Sequence, residues 1–78
     1  MNKKVILYST KTCPFCRLVK DFLKQNNIEF IDYDVGEDRE KLDEMVKKSG
    51  QMGVPVIDID GEIIVGFDKG KIKEVLGI

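Results

Sequence analysis

Cys13 and Cys16 stand three positions apart with Pro14 and Phe15 between them, and they are the only two cysteines in the 78 residues. Two thiols at this spacing are suited to thiol–disulfide exchange, to half of a zinc site, or to no chemistry at all as inert buried side chains. The chain has no histidine. That excludes Ser-His-Asp and Cys-His nucleophiles and removes the commonest zinc ligand. Without a second cysteine pair, tetrahedral zinc held within one chain is not expected, which leaves disulfide chemistry or a metal shared between two chains.

The elements that must position this pair follow from the hydrophobic pattern. Lys3–Tyr8 is rich in β-branched and apolar residues and short enough for a buried strand, followed by a polar loop over Ser9–Thr12. Phe15, Leu18, Val19, Phe22 and Leu23 then recur at helical spacing on one face, in a helix ending near Asn26-Asn27. Ile28–Asp34 alternates Ile28, Phe30 and Ile31 with Glu29 and Asp32. After a helix long enough for a right-handed crossover it is expected to be a second, parallel strand.

Glu37–Lys48 is charged but keeps Leu42, Met45 and Val46 on one side, with Ser49-Gly50 as its stop. The cluster Glu37-Asp38-Arg39-Glu40-Lys41 reads as solvated helix surface. Pro55 opens the run Val56–Ile59, and Asp60-Gly61 separates it from Glu62–Val65, a strong hairpin signal. Asp68 can cap a last helix burying Ile72, Val75 and Leu76, although Lys71 denies it a capping box. The order β-α-β-α-β-β-α predicts a thioredoxin-type α/β fold, a four-stranded mixed sheet flanked by helices in a single domain over residues 1–78.

This order places Cys13 where the first strand's loop enters the first helix, with Pro14 at a position whose missing N–H costs nothing. Unpaired N–H groups and partial positive charge at a helix start favour thiolate over thiol. Cys13 is therefore expected to ionise more readily than a free cysteine, with Lys11 and Arg17 adding positive potential. Cys16, one turn further and deeper, is suited to resolve a mixed disulfide.

Tyr8-Ser9-Thr10-Lys11-Thr12-Cys13-Pro14-Phe15-Cys16-Arg17, Gly53-Val54-Pro55 and Gly66-Phe67-Asp68 resemble the three signature regions of glutaredoxins, and the likeness runs essentially end to end. The Cys-Pro-aromatic-Cys tetrapeptide and the absence of tryptophan are similar to that family, in its small bacterial form, rather than to thioredoxins with Cys-Gly-Pro-Cys. The resemblance implies that Pro55 follows a cis bond and faces Cys13, with the Val54 backbone pairing with an extended substrate. It also implies that Gly66, Phe67 and Asp68 hold the γ-glutamyl carboxylate of glutathione, against the simpler reading of Asp68 as a helix cap.

Lys11 could reach a ligand carboxylate or merely face solvent, and Tyr8 either borders the site or packs beneath it. The family's usual residues are replaced by Thr10, Gly53, Val65 and Lys69. Each replacement lowers the expected affinity for glutathione.

Bulk properties bound the remaining choices. Thirteen basic and fourteen acidic residues give a net charge of −1, so neither nucleic acid nor an anionic membrane is an expected partner. The start of the chain carries too short an apolar run for a signal peptide or a transmembrane helix. A cytoplasmic monomer is expected, where thiols are kept reduced and a structural disulfide is not. The expected activity is dithiol reduction of protein or low-molecular-weight disulfides, with no bound cofactor and with glutathione as co-substrate or a flavoprotein disulfide reductase as electron donor. The rival readings are a thioredoxin-reductase-dependent redoxin, a metal or iron–sulfur module shared between chains, and a redox-inactive interaction domain.

Overall fold

The computed structural model describes residues 3–78, so Met1 and Asn2 of the expected N-terminal stretch lie outside the described residues. The elements are β1 (Val5–Ser9), α1 (Pro14–Gln25), β2 (Ile31–Asp34), α2 (Arg39–Ser49), β3 (Val56–Ile59), β4 (Glu62–Val65) and α3 (Lys69–Leu76). One sheet holds all four of these strands in the order β2-β1-β3-β4. β1 runs parallel to β2 and antiparallel to β3, and β4 is antiparallel to β3. The expected mixed sheet and element order are those observed.

Alternation along β1 divides the interior in two. Val5 and Leu7 point into a cluster with Val19, Phe22 and Leu23 of α1, Ile57 and Ile59 of β3, Ile64 of β4 and Ile72 of α3. Tyr8 points the other way, into a cluster with Val35, Met45 and Val56, against which Leu42 and Val46 of α2 pack. The sheet is thus covered on both faces. Among the described residues, no helix is long and apolar enough to cross a membrane.

Local chemistry sets the boundaries. Asp38 caps α2 by accepting the Lys41 N–H, and Gly50 ends it in the left-handed region at φ 74°. Asp68 caps α3 by accepting the Lys71 N–H at 3.1 Å. In the hairpin, Asp60 and Gly61 both adopt positive φ, 50° and 94°, as a two-residue primed turn requires.

Four expectations need correction. β1 is shifted to Val5–Ser9, because Ser9 still pairs with Asp34 rather than opening the loop. Pairing on the other side begins only at Ile31, opposite Ile6, so Ile28 and Phe30 are not strand. Their apolar side chains instead pack against the α1/α3 cluster. Phe15 and Leu18 are 59% and 45% exposed rather than part of the core stripe, and Cys16 takes the buried place in the first turn. Finally, Glu37 and Asp38 precede α2, and Lys41 is more than solvated surface, since its ammonium lies 4.2 Å from the Tyr33 ring centroid and 3.5 Å from Glu44.

Candidate active site

β1 delivers the chain to a loop that ends at Cys13, the residue capping α1. Its backbone is extended at φ −89° and ψ 112°, with Pro14 as first helical residue. In place of the oxygen usual at a cap, the Cys13 sulfur accepts the Cys16 N–H at 3.2 Å. A negatively charged sulfur strengthens that bond, because a charge-assisted acceptor holds an N–H more tightly than a neutral one.

The two sulfurs differ in surroundings. Cys13 is partly exposed, whereas Cys16 is 1% exposed, and both are free thiols. Burial pushes the Cys16 thiol up to about 12, and its hydrogen bond with Cys13 adds to the effect. The Thr10 backbone and the positive charge of Lys20 act in the opposite direction. One sulfur is therefore open to an incoming molecule, and the other is enclosed and favours its protonated form.

Opposite Cys13 lies the segment before β3. The Val54–Pro55 bond is cis, and the Cys13 thiol donates to the Val54 carbonyl at 3.8 Å. Pro55 is buried, and its carbonyl accepts the Gly66 N–H at 2.8 Å. Cys13, Cys16, Val54, Pro55 and Gly66 therefore form one connected group.

The other residues singled out from the sequence are placed differently. Phe67 packs edge-on against Phe22, with ring centroids 6.3 Å apart. The Asp68 carboxylate is engaged in capping α3. The ammonium of Lys11 lies 3.9 Å from Glu37, both of them well exposed. Phe15 and Arg17 are exposed in the first turn of α1 beside Cys13.

Tyr8 packs beneath the sheet and does not border the sulfurs. It is fully buried on the α2 face, where its hydroxyl donates to Glu44 and accepts from Lys48. Burial and the Glu44 hydrogen bond raise its pKa, while Lys48 opposes them.

Two groups near the site went unremarked in the sequence. Lys20 stands four residues after Cys16, hence on the same side of α1 one turn below it. It is fixed by Asp32 at 2.8 Å, and Asp32 in turn accepts from the buried Ser9 hydroxyl at 2.6 Å. The spacing from Cys16 was the available signal. Gln51 is the other: its side-chain amide bonds to both backbone groups of Gly53, and nothing in the local sequence announced it.

Comparison with known proteins agrees with this fold. The glutaredoxin family model matches residues 5–64. A glutaredoxin-like 8.6 kDa protein of the rubredoxin operon in Clostridium pasteurianum is 50% identical over 70 residues, covering 90% of this chain and 93% of its own. Glutaredoxin 3 of Escherichia coli K12 is 36% identical over 64 residues, covering 82% and 77%. The crystal structure of the glutaredoxin from Methanosarcina mazei Go1 superposes with a TM-score of 0.86 at 30% identity, over 96% of this chain and 79% of its own. A mutant of the thioredoxin-like protein BC3987 reaches a TM-score of 0.91 at 33% identity over 96% of each chain. This chain belongs to the glutaredoxin family, and with it to the thiol–disulfide oxidoreductases.

Proposed function

We propose that the chain reduces disulfides by a dithiol route in which Cys13 attacks and Cys16 resolves. The observation that carries this reading is the asymmetry of the pair: Cys13 is accessible and its sulfur receives a backbone N–H, while Cys16 is enclosed and its thiol is held up at about 12. The Cys13 thiolate displaces one half of the substrate disulfide as a thiolate, forming a mixed disulfide with the other half. Cys16 then loses its proton and attacks the Cys13 sulfur, releasing the second half and leaving a Cys13–Cys16 bridge. The substrate has gained two electrons and takes up two protons, and because the two sulfurs carry the electrons the reaction needs no bound cofactor.

Regeneration requires two electrons from outside. Glutathione supplies them as two thiols that become its disulfide, and a flavoprotein disulfide reductase supplies them from NADPH. Lys11, Gly66 and Asp68 each have a partner within the fold, so glutathione acts in this reading as a loosely held reductant. A coupled NADPH assay comparing glutathione plus its reductase with thioredoxin reductase tests both the activity and the donor. Disulfide-dependent NADPH oxidation that requires Cys13 is the expected result, and no turnover of any disulfide with either donor overturns the reading.

A further inference from the structure

The connection between α2 and β3 is held by side chains rather than by helix or sheet. At the end of α2 the Ser49 hydroxyl donates to the Met45 carbonyl at 2.7 Å, and its oxygen accepts from the Gln51 side-chain amide at 3.2 Å. That same amide turns onto Gly53, where Oε1 accepts the Gly53 N–H at 2.6 Å and Nε2 donates to the Gly53 carbonyl at 3.1 Å. One side chain therefore grips both polar groups of one residue, as a neighbouring strand would.

Gly53 leaves space for this grip and has no unusual backbone angle. A Cβ at this position would lie 2.7 Å from Gln51 Oε1, so the amide would have to shift from its present place. The grip falls on the residue directly before Val54, whose carbonyl faces the Cys13 sulfur at 3.8 Å. On the far side, Pro55 is tied through its carbonyl to Gly66 at 2.8 Å. The Val54 backbone is thus anchored by hydrogen bonds to both of its neighbours, through Gly66 on one flank and through the Gln51 side chain on the other.

We propose that Gln51 is a positioning residue for the disulfide substrate: by clamping Gly53 it holds the Val54 backbone at the distance from Cys13 where an extended peptide carrying the disulfide pairs. This rests on the reading of Cys13 as the attacking sulfur. It assigns the Gln51-x-Gly53 pair a role in selecting substrates that have a peptide backbone over those that have none.

The test compares two probes on the full chain: a hexapeptide whose central cysteine is disulfide-linked to cysteamine, and bis(2-hydroxyethyl) disulfide, which has no backbone to pair. In Gln51→Ala the KM for the peptide rises about 5- to 20-fold, as expected for loss of one or two hydrogen bonds' worth of alignment, while kcat changes far less. Reduction of bis(2-hydroxyethyl) disulfide changes little. Gln51→Glu keeps the acceptor and loses the donor, so it falls between. Gly53→Ala displaces the amide sterically and reproduces the Gln51→Ala phenotype, and the double variant is no worse than either single one.

An unchanged peptide KM, equal losses on both probes, or additive effects in the double variant overturn the proposal. If the parent chain reduces neither probe, it is the reading of Cys13 that fails instead.

Discussion

Cys13 caps α1 with its own sulfur while Cys16 is enclosed one turn further along, and the proposed order of attack rests on that difference. On the proposed route Cys13→Ser is expected to abolish disulfide reduction. Cys16→Ser is expected to accumulate a mixed disulfide at Cys13, visible by intact mass. Iodoacetamide at neutral pH adds one group, and peptide mapping locates it at Cys13. The Lys20 charge lowers the Cys16 pKa, so in Lys20→Met the release of the second substrate half slows by a few-fold and its pH profile moves to more alkaline values. An unchanged profile in single-turnover mixing would remove Lys20 from the mechanism. The place of the cysteine pair at the start of α1 was legible from the element order, because a helix start is a local feature. The Gln51 clamp was not, since an amide reaching two residues along a loop leaves no periodic trace.

At the scale of elements, the sequence pattern reported the order and type of the elements more faithfully than their boundaries. The Asp60-Gly61 turn and the Asp68 cap were readable because each rests on contacts within a few residues, whereas Asp38, read as helix surface, turns out to cap α2. Ile28 and Phe30 alternate as a strand would, yet they reach the α1/α3 cluster before β2 comes alongside β1. Burial alone satisfies the alternation. Equally hidden was the ionic network joining α2 to the sheet, in which Lys48 donates to Asp58 at 2.7 Å and to the Tyr8 hydroxyl at 2.8 Å.

Burial alone would lower the Lys48 pKa, but its bonds to Asp58 and Tyr8 outweigh that and raise it. Lys48→Met leaves the largely buried Asp58 carboxylate with only the Gly61 N–H at 2.8 Å. The expected loss is about 1–3 kcal/mol in urea unfolding. Combining it with Tyr8→Phe costs less than the sum, because both remove the same bond. Strict additivity would mean that the network contributes no coupling.

For the molecule as a whole, two clusters lie on either face of a single sheet, and alkylation of the buried Cys16 thiol tests whether the site opens together with them. A chain of this size is expected to have a stability of only about 4–12 kcal/mol, and Leu7→Ala, at a fully buried site of the central strand, removes about 2–5 kcal/mol of it. Because Leu7 lies two residues before Ser9, where β1 hands over to the cysteine loop, unfolding of the core and release of the site are expected to be one event. The pH dependence follows the same logic. The Cys16 pKa is raised from 9.0 to about 12 on folding. The associated stability is therefore complete below the unfolded value and is lost as pH rises toward the folded one. Chemical denaturation at pH 8, 9.5 and 11 is expected to give falling midpoints, and in Cys16→Ala, which lacks the titrating thiol, a shallower fall. At pH 8, alkylation of Cys16 in a Cys13→Ser background should appear at the same denaturant concentration as the loss of helical circular dichroism, and Leu7→Ala should move both together. Alkylation of Cys16 well ahead of the helical signal would show instead that the start of α1 opens independently of the two cores.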